Sequence, residues 1–374
     1  MIEAWGAQDV RPEYFDSVEV SLLTCSPHEE VYSLYGHSAL RWHDLHQKGA
    51  HAGEDIAYNW GIFNFKKPYF VLRFVFGLTD YELGPIPFRA FCAYYAHWGS
   101  SVTEQVLNLT NEEKAKLRKA LWENMQPENR IYRYNYFYDN CSTRPRNIIE
   151  KCLIGKIEYA QHEEYTPSYR DMVRMCTRNH PWGKFGNDML LGVKADMSTT
   201  MREQEFLPEN LMYDFDRAQI YLNGIYKPLV KERRMAVEPG VQVVEQDFPL
   251  TPMECAWLLL MLSVIICLIE WKQKKRMVWW DVTLMAVQGL AGCVIFVMLF
   301  SQHPTTSTNL QLFLLNPLPL FFIPAVIKGK RTVWQKVLVV MVALYFLGSL
   351  FQHYPEGMML VALCLLSRAL KIKN

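Results

Sequence analysis

The sequence contains no CxxC pair and no group of histidines and cysteines at the spacing of a zinc site, although it has nine cysteines. Because zinc ribbons and zinc fingers need such spacing, we expect no metal, and no other cofactor is indicated. No basic stretch carries the interleaved aromatic residues and glycines of a nucleic-acid-binding surface. Nucleic acid is therefore not expected as a partner.

The beginning of the sequence lacks the apolar core of a secretory signal peptide. Residues 4–7, Ala-Trp-Gly-Ala, nevertheless resemble the small-residue tail that follows such a core. We therefore expect targeting residues upstream of this sequence in the native protein.

Hydrophobic residues and charges are distributed unevenly along the 374 residues. Half of the residues are hydrophobic, yet the mean hydropathy is −0.06, so the apolar residues must be concentrated in part of the chain. From Thr251 onward there are 11 Lys and Arg against 4 Asp and Glu, whereas the earlier residues contain 28 against 34. The shift predicts two domains, a soluble domain over residues 1–250 and a transmembrane domain over residues 251–374.

Apolar runs in the second domain predict an all-α transmembrane bundle of about five helices. The predicted spans are residues 252–269, 282–300, 310–327, 337–351 and 358–370. Basic clusters follow the first, third and fifth spans, whereas the loop 301–309 contains no Lys or Arg. By the positive-inside rule, the soluble domain lies outside the cytoplasm and the C-terminus inside. Because the fourth and fifth runs are short, a re-entrant pair is the alternative.

The third predicted span and the loop before it are unusually polar for a segment that only anchors a domain. His303, Asn309 and Asn316 lie there, among several prolines. Polar groups within a membrane are costly and usually face a cavity or a site, so these three side chains are candidates for contact with lipid. The alternative is a structural loop with helix caps and proline kinks.

The first domain combines strand and helix patterns. Alternating apolar residues predict strands within residues 17–43 and 56–65. The capping box Thr110–Glu113 opens one helix, and residues 142–153 predict another. This mixture indicates an α+β fold.

The helix predicted over residues 142–153 places Cys141 at a helix N-terminus. There the helix dipole lowers the pKa of a thiol, and Arg144 and Arg146 are expected to act in the same direction. Cys141 is therefore the candidate nucleophile. A single buried cysteine at a helix start is, alternatively, an inert core residue.

A thiolate nucleophile needs an imidazole that takes up and returns protons. His37, on a predicted strand directly after a glycine, is the candidate. Asn59, on the next predicted strand, is the candidate for orienting the imidazole, with Asp55 and His43 as substitutes. A strand histidine with a purely structural role is the alternative.

Two short motifs resemble those of circularly permuted papain-like enzymes, the permuted NlpC/P60 and lecithin:retinol acyltransferase relatives. Tyr35-Gly-His37 matches their GH-bearing strand, and Asp139-Asn-Cys141 matches their NC-bearing helix. Further segments make nearly the whole chain similar to the Lnb family of lipoprotein N-acyltransferases. These segments are residues 58–65 (YNWGIFNF), 185–192 (FGNDMLLG), 206–208 (FLP), 303–304 (HP) and 316–318 (NPL).

The resemblance implies a permuted papain-like domain in the periplasm and a multi-span domain in the bacterial inner membrane. It implies that Cys141 and His37 are catalytic, with a phospholipid as acyl donor and the α-amine of a diacylated lipoprotein as acceptor. The acyl chain would pass through a thioester on Cys141. We add Asn59 as the orienting residue. The predicted substrate-binding residues, which would contact these partners or membrane lipids, are Tyr35, Arg41, His303, Asn309 and Asn316.

Two other functions remain open at the level of sequence. Other members of the broader fold suggest a membrane-anchored cysteine peptidase or peptidoglycan amidase. A non-catalytic receptor or scaffold would need neither the thiol nor the imidazole. One span would anchor a peptidase or amidase, so five spans with polar interruptions favour a lipid substrate.

Overall fold

The structure is a computed structural model that describes residues 12–30, 33–49, 52–63, 68–161, 166–242, 248–330 and 332–371. Several sequence-based predictions fall on residues outside these ranges. They are the small-residue tail at residues 4–7, the end of the second strand pattern at residues 64–65, and the basic residues Arg331 and Lys373.

The described chain forms two compact units. The first contains the residues up to Thr166 and those from Thr199 to Glu245, and the second contains Pro167–Ser198 and the residues from Gln246 onward. The first unit is mixed α/β and the second is helical, which confirms the predicted order of an α+β domain before a helical region. The domain boundary at residue 250 and the circular permutation stay predictions.

The first unit is built on antiparallel strands. In chain order they are β1 (Val18–Cys25), β2 (His37–Asp44), β3 (Asp55–Ile62), β4 (Asp80–Pro87), β5 (Val102–Leu107), β6 (Ile131–Arg133), β7 (Lys156–Glu158), β8 (Gln219–Leu222), β9 (Ile225–Pro228) and β10 (Val230–Val237). Among the described residues, one sheet has the order β10-β5-β1-β2-β3-β4-β6 and a smaller one has the order β7-β8-β9. The strands β2 and β3 are therefore neighbours in the middle of the large sheet.

Helices cover both faces of the large sheet. The helices of the first unit are α1 (Phe70–Val75), α2 (Phe88–His97), α3 (Asn111–Met125), α4 (Thr143–Cys152), α7 (Met201–Gln204) and α8 (Pro208–Arg217). Alternation sends Leu40 and Trp42 into a core that contains Leu117 of α3, and sends Ala39 into a core that contains Phe91 of α2. The predicted capping box of α3 is present, since Glu113 N–H donates to Thr110 Oγ1.

The second unit begins with α5 (Tyr169–Cys176) and α6 (Pro181–Leu190), followed by a 3-10 turn at Val193–Asp196. Its apolar helices are α9 (Pro252–Gln273), α10 (Val278–Met298), α11 (Leu318–Ile327), α12 (Trp334–Gly348) and α13 (Met358–Lys371). By length and composition, three segments of the described chain could cross a membrane: Pro252–Gln273, Val278–Met298 and Leu310–Ile327. The third contains a 3-10 helix, Leu310–Phe313, and a break before α11. The remaining two helices, α12 and α13, are apolar but shorter.

Candidate active site

His37 and Asn59 form the first part of the site. His37 is the first residue of β2, and Asn59 lies on the adjacent strand β3. The side-chain oxygen of Asn59 lies 2.7 Å from His37 Nε2 and accepts the Gly61 N–H at 2.8 Å. Because this oxygen is an acceptor, the proton of the shared bond lies on Nε2, which leaves Nδ1 for Cys141.

Gly61 is necessary for the position of the imidazole. A Cβ atom at residue 61 would lie 2.5 Å from His37 Cε1 and 3.0 Å from the Asn59 side-chain oxygen. Contacts this short require the ring or the amide to move. A second glycine, Gly36, has φ +74, and a Cβ there would lie 2.7 Å from the Cys25 carbonyl oxygen. Glycine is therefore needed directly before β2, at Gly36, and within β3, at Gly61, where the chain passes close to His37.

Cys141 lies directly before α4, and Asn140 holds this helix start. The Asn140 side-chain oxygen accepts the N–H groups of Ser142 at 2.9 Å and Thr143 at 3.0 Å. Its amide nitrogen donates to the carbonyl oxygens of Tyr136 and Phe206 at 3.0 and 2.9 Å. Hydrogen bonds therefore join Asn140 both to the start of α4 and to Tyr136 and Phe206. These bonds also fix the backbone at Cys141, the next residue.

The sulfur of Cys141 is a free thiol with several hydrogen-bond partners. It interacts with His37, with the backbone N–H of Ser38 and with the side chain of Ser142. The hydroxyl groups of Ser38 and Ser142 also lie 3.1 Å apart, and both serines are fully buried. The start of β2 and the start of α4 thus meet at the thiol.

The pKa values of Cys141 and His37 are shifted in the directions that favour an ion pair. Burial, the largest effect on Cys141, raises its pKa, but the charge and hydrogen bond of His37, with the Ser38 and Ser142 bonds, lower it below 9.0 overall. For His37, burial lowers the pKa, and the charge of Cys141 with the hydrogen bonds to Cys141 and Asn59 raises it above 6.5 overall. Each shift favours the charged form, that is, a thiolate beside an imidazolium.

Arg144 and Arg146 do not act on the thiol as predicted. Arg144 pairs with Asp139 at 2.6 Å, and Arg146 pairs with Glu205 at 2.7 Å. Each guanidinium is thus neutralised by a carboxylate, so the positive charge that lowers the pKa of Cys141 is mainly that of His37.

Three buried or partly buried tyrosines lie close enough to the thiol to feel its charge. Burial, as the largest cause, raises the pKa of Tyr81, Tyr132 and Tyr134, and the negative charge of Cys141 adds to each shift. The rings of Tyr81 and Tyr134 stack with centroids 4.1 Å apart. The surroundings of Cys141 are therefore aromatic.

The other predicted residues of the first unit have structural partners. Asp55 pairs with Arg41 at 2.7 Å, and His43 lies 4.0 Å from the same carboxylate, so neither substitute replaces Asn59 beside His37. Arg41 also pairs with Glu104 at 2.9 Å, and we leave it out of the proposed site. The ring of Tyr35 packs edge-on against Tyr136, with centroids 5.0 Å apart.

In the second unit, Asn309 caps a 3-10 helix and Asn316 accepts the first amide of α11, which agrees with the structural alternative. Asn309 accepts the Gln311 N–H at 3.0 Å and donates to the Met189 carbonyl oxygen at 2.9 Å. Asn316 accepts the Leu318 N–H at 3.2 Å, where α11 begins. His303 is half-buried, and its carbonyl oxygen accepts the Thr306 N–H and hydroxyl. Contact of these residues with lipid stays a prediction.

Three residues of the site were missed by sequence reasoning: Ser38, Gly61 and Ser142. Asp139 and Asn140 are both candidate caps from the sequence, and the structure selects Asn140. A signal existed for Gly61, because glycine inside a strand indicates close approach of another group. The serine pair joins residues far apart in sequence and has no local pattern.

No group of three or more His, Cys, Asp or Glu residues suited to a metal occurs in the part of the chain that the structure describes. Comparison with protein families gives two matches. A model described as the Lnb N-terminal periplasmic domain matches residues 3–178, and one described as the Lnb transmembrane domain matches residues 243–373. Neither the curated proteins nor the solved structures contain a significant match.

Proposed function

The chain belongs to the Lnb family of lipoprotein N-acyltransferases, and we propose that it carries an acyl chain from a phospholipid to a lipoprotein as a thioester on Cys141. The observation that carries the proposal is the hydrogen-bonded set Cys141, His37 and Asn59. The acceptor is the α-amine of the lipoprotein's diacylglyceryl-cysteine, and the product has three acyl chains.

In the first step, the Cys141 thiolate attacks the carbonyl carbon of a phospholipid ester. The new C–S bond forms, and the C–O bond to the glycerol oxygen breaks. The His37 imidazolium gives its proton to this oxygen, so lysophospholipid leaves as a neutral alcohol at that position. Asn59 keeps the imidazole in place by holding its Nε2–H.

In the second step, the lipoprotein's neutral α-amine attacks the thioester carbonyl. A C–N bond forms, the C–S bond breaks, and neutral His37 takes up the proton released by nitrogen. The Cys141 thiolate and the His37 imidazolium are thereby restored. Because the lysophospholipid departs before the lipoprotein reacts, the scheme requires ping-pong kinetics.

Both steps pass through a tetrahedral oxyanion that needs hydrogen-bond donors. The amides of Ser142 and Thr143 already donate to Asn140, which leaves the Cys141 amide as the donor available at the start of α4. One such donor lowers the barrier by about 3 kcal/mol in comparable sites. The aromatic surroundings of Tyr81 and Tyr134 would also keep water from hydrolysing the thioester.

The sidedness we propose follows from the basic clusters. The family matches describe a periplasmic part and a membrane part. Lys272, Lys274, Lys275 and Arg276 follow the first span and stay on the cytoplasmic side under the positive-inside rule. With five spans, this orientation puts the C-terminus on the cytoplasmic side of a bacterial inner membrane. A C-terminal phosphatase fusion that is active in the periplasm would contradict it.

The test of the reaction is mass spectrometry of a reporter lipoprotein made in cells that lack their own N-acyltransferase. We expect a third acyl chain with the intact protein and with the control variant Cys92→Ala, and none with Cys141→Ala. Incubation of the purified protein with phospholipid alone should add one acyl mass to the peptide that contains Cys141.

Two results would lead to other functions. If the reporter stays diacylated while the protein is folded in the membrane, hydrolysis of peptidoglycan fragments becomes the next assay. If a third chain appears but Cys141 is never acylated, the transfer is direct and the thioester scheme is wrong.

A further inference from the structure

The connection between β3 and β4 contains a segment that is almost entirely hydrophobic. Residues 69–78 read Tyr-Phe-Val-Leu-Arg-Phe-Val-Phe-Gly-Leu, so eight of the ten are hydrophobic, and we call them the apolar segment. The helix α1 lies within it and has Arg73 as its single polar residue. A helix at the surface of a water-soluble domain normally has a polar face, whereas a helix that is apolar on all sides is covered by protein or by lipid.

The structure leaves side chains of the apolar segment exposed. The exposed fractions are 78% for Tyr69, 56% for Leu72, 38% for Phe74 and 36% for Leu78. Single exposed hydrophobic residues are normal on a protein surface, but a concentration of them indicates a surface for a partner. A partner that covers this segment must therefore be apolar itself.

Both ends of the apolar segment adjoin the aromatic residues near the thiol. Before the segment, the ring of Phe63 stacks on that of Tyr81, with centroids 4.8 Å apart. After the segment, the Thr79 carbonyl oxygen accepts the Tyr134 N–H at 3.1 Å. Tyr81 and Tyr134 are two of the tyrosines that feel the charge of Cys141. A molecule bound by the apolar segment would therefore lie beside the candidate active site.

The charge around the apolar segment has one sign. Residues 61–79 contain three basic residues, Lys66, Lys67 and Arg73, and no acidic one. Asp80, the nearest carboxylate along the chain, pairs with Arg73 at 3.3 Å and with Arg133 at 2.7 Å. One carboxylate thus faces two guanidiniums, and positive charge remains. Basic residues among exposed aromatic and aliphatic ones are typical of segments that lie in the interface of a membrane with anionic lipids.

We propose that the apolar segment inserts into the phospholipid leaflet that faces the periplasm. Tyr69 and Leu72 contact acyl chains, the basic residues contact phosphates, and the ester of a phospholipid is thereby held beside Cys141. The choice of a phospholipid surface as the partner rests on the proposed function, but insertion itself requires no acyl transfer. The inference adds a membrane-contacting surface to the first unit.

The first test is photo-crosslinking of the full chain in nanodiscs of phosphatidylethanolamine and phosphatidylglycerol. The photoreactive residue p-benzoylphenylalanine replaces Tyr69, and Cys141→Ala prevents acyl transfer from adding mass. We expect adducts with phospholipid in the mass spectrum, at least about fivefold more than when the same residue replaces Tyr226. Tyr226 is the matched control, since it is 53% exposed and lies on β9 of the same unit.

The second test is single-turnover acylation of Cys141 in the variant Leu72→Glu, which puts a carboxylate where we place an acyl chain. In nanodiscs of ester phospholipids the rate should fall about tenfold. In nanodiscs of diether phospholipids, which contain no acyl ester, the soluble donor p-nitrophenyl butyrate should acylate Cys141 as fast as in the intact protein. Ile225→Glu is the matched control at a residue that is 70% exposed, and it should leave both rates unchanged.

Three results would overturn the proposal. Tyr69 could yield no more lipid adducts than Tyr226, or it could crosslink mainly to a second copy of the chain. Leu72→Glu could leave the rate with ester phospholipids unchanged. It could also slow both donors equally, which would mean that the apolar segment supports the active site without contacting lipid.

Failure of the reaction scheme is distinguishable from failure of this proposal. If phospholipid never acylates Cys141 in the intact protein, the thioester scheme is wrong. The photo-crosslink at residue 69 still decides whether the apolar segment enters the membrane, because it is measured in a variant that lacks the thiol.

Discussion

The reactivity of Cys141 depends on the protonation states of its thiol and of the His37 imidazole. The pKa of Cys141 is lowered and that of His37 is raised, and both shifts favour the thiolate–imidazolium pair over the neutral pair. Acid protonates the thiolate, and alkali deprotonates the imidazolium. We therefore predict a bell-shaped pH dependence for acylation of Cys141 by phospholipid, measured in a single turnover. Asn59→Ala should move the alkaline limb to lower pH, because the Asn59 bond raises the pKa of His37.

Alkylation of Cys141 by iodoacetamide reports the thiolate directly. In the intact protein we predict a midpoint below that of an ordinary cysteine, whereas in His37→Ala burial is opposed only by the Ser38 and Ser142 bonds and the midpoint should rise. The measurement is mass spectrometry of the peptide that contains Cys141, sampled across pH. Equal midpoints in the two proteins would show that His37 does not lower this pKa.

Gly61 is a positioning residue whose role follows from space alone. In Gly61→Ala the new Cβ would lie 2.5 Å from His37 Cε1, so the imidazole must move away from its place beside Asn59 and Cys141. A displacement of about 1 Å can cost about 100-fold in rate, and we predict a loss of acyl transfer of that order. Thermal unfolding of the variant should stay close to that of the intact protein.

Gly183→Ala is the matched control for this substitution. A Cβ at residue 183 would make only an ordinary contact, 3.4 Å from His180 Cβ. Full activity in both glycine variants would mean that the imidazole tolerates displacement, and the proposed geometry would then be wrong. Loss of activity in Gly61→Ala with unchanged alkylation of Cys141 would separate misplacement of the imidazole from loss of the thiolate.

At the level of elements, the sequence predicted the strands and helices that bear the site, because local patterns determine them. Alternation placed β2 and β3, and the capping box placed α3. Residues 130–138 are rich in aromatic residues, a composition typical of strands, yet only Ile131–Arg133 form a strand, since the rest turns to bring Asn135 opposite Asp139. That turn depends on hydrogen bonds that have no periodic signature.

Asn140 connects the helix α4 to two other segments of the first unit. It is 4% exposed, and its side chain accepts two amides of the helix start and donates to Tyr136 and Phe206. We predict that Asn140→Ala lowers the free energy of unfolding by about 2–4 kcal/mol, because a cap is lost and buried groups are left unpaired. Thermal unfolding of the full chain in detergent, followed by tryptophan fluorescence, measures the change.

Asn140→Asp separates the contribution of the accepted helix amides from that of the bonds that Asn140 donates. An aspartate keeps the acceptor for the helix amides but loses the donor to Tyr136 and Phe206, so we expect a smaller fall than in Asn140→Ala. An aspartate variant as unstable as the alanine variant would assign the role to the donated bonds rather than to the cap.

The sequence could not show what the polar residues of the third span do, because the same residue types serve as helix caps and as lipid-facing groups. Asn309 and Asn316 both accept an amide two residues later in the chain. Gln352 donates to Asn309 at 2.9 Å across 43 positions. Pairing over such distances leaves no trace in the local pattern, so the structure was needed to recognise the caps.

At the level of the whole chain, the second unit includes Pro167–Ser198, far in sequence from its apolar helices. Within this unit, Gly192 N–H donates to the Thr305 carbonyl oxygen at 2.8 Å, and Gln352 donates to the Leu191 carbonyl oxygen at 3.1 Å. A Cβ on Gly192 would lie 2.2 Å from the Thr308 carbonyl oxygen. The resemblance of residues 185–192 to the family thus has a structural reason, which is close packing against the loop 303–309.

The shape of the segment that makes these contacts depends on one buried arginine. Arg170 is 0% exposed and donates to Asp196 at 2.9 Å, to Asp188 at 3.1 Å, and to the carbonyl oxygens of Leu191 and Gly192. A fully buried guanidinium is stable only with such complete pairing, and removal of one partner typically costs about 3–5 kcal/mol. Domains are stable by only about 5–15 kcal/mol, so this cost is a large share.

We therefore predict that Arg170→Met sharply lowers the unfolding temperature and the yield of monodisperse full-length protein, because Asp196 and two carbonyl oxygens each lose one buried hydrogen bond. Arg178→Met is the matched control, since Arg178 is exposed in the turn that follows α5 and should tolerate the change. Adding Asp196→Asn to Arg170→Met should recover part of the loss by removing the uncompensated charge. If Arg170→Met and Arg178→Met unfold at the same temperature, the guanidinium does not hold Pro167–Ser198 in shape, and the close packing of Gly192 must have another origin.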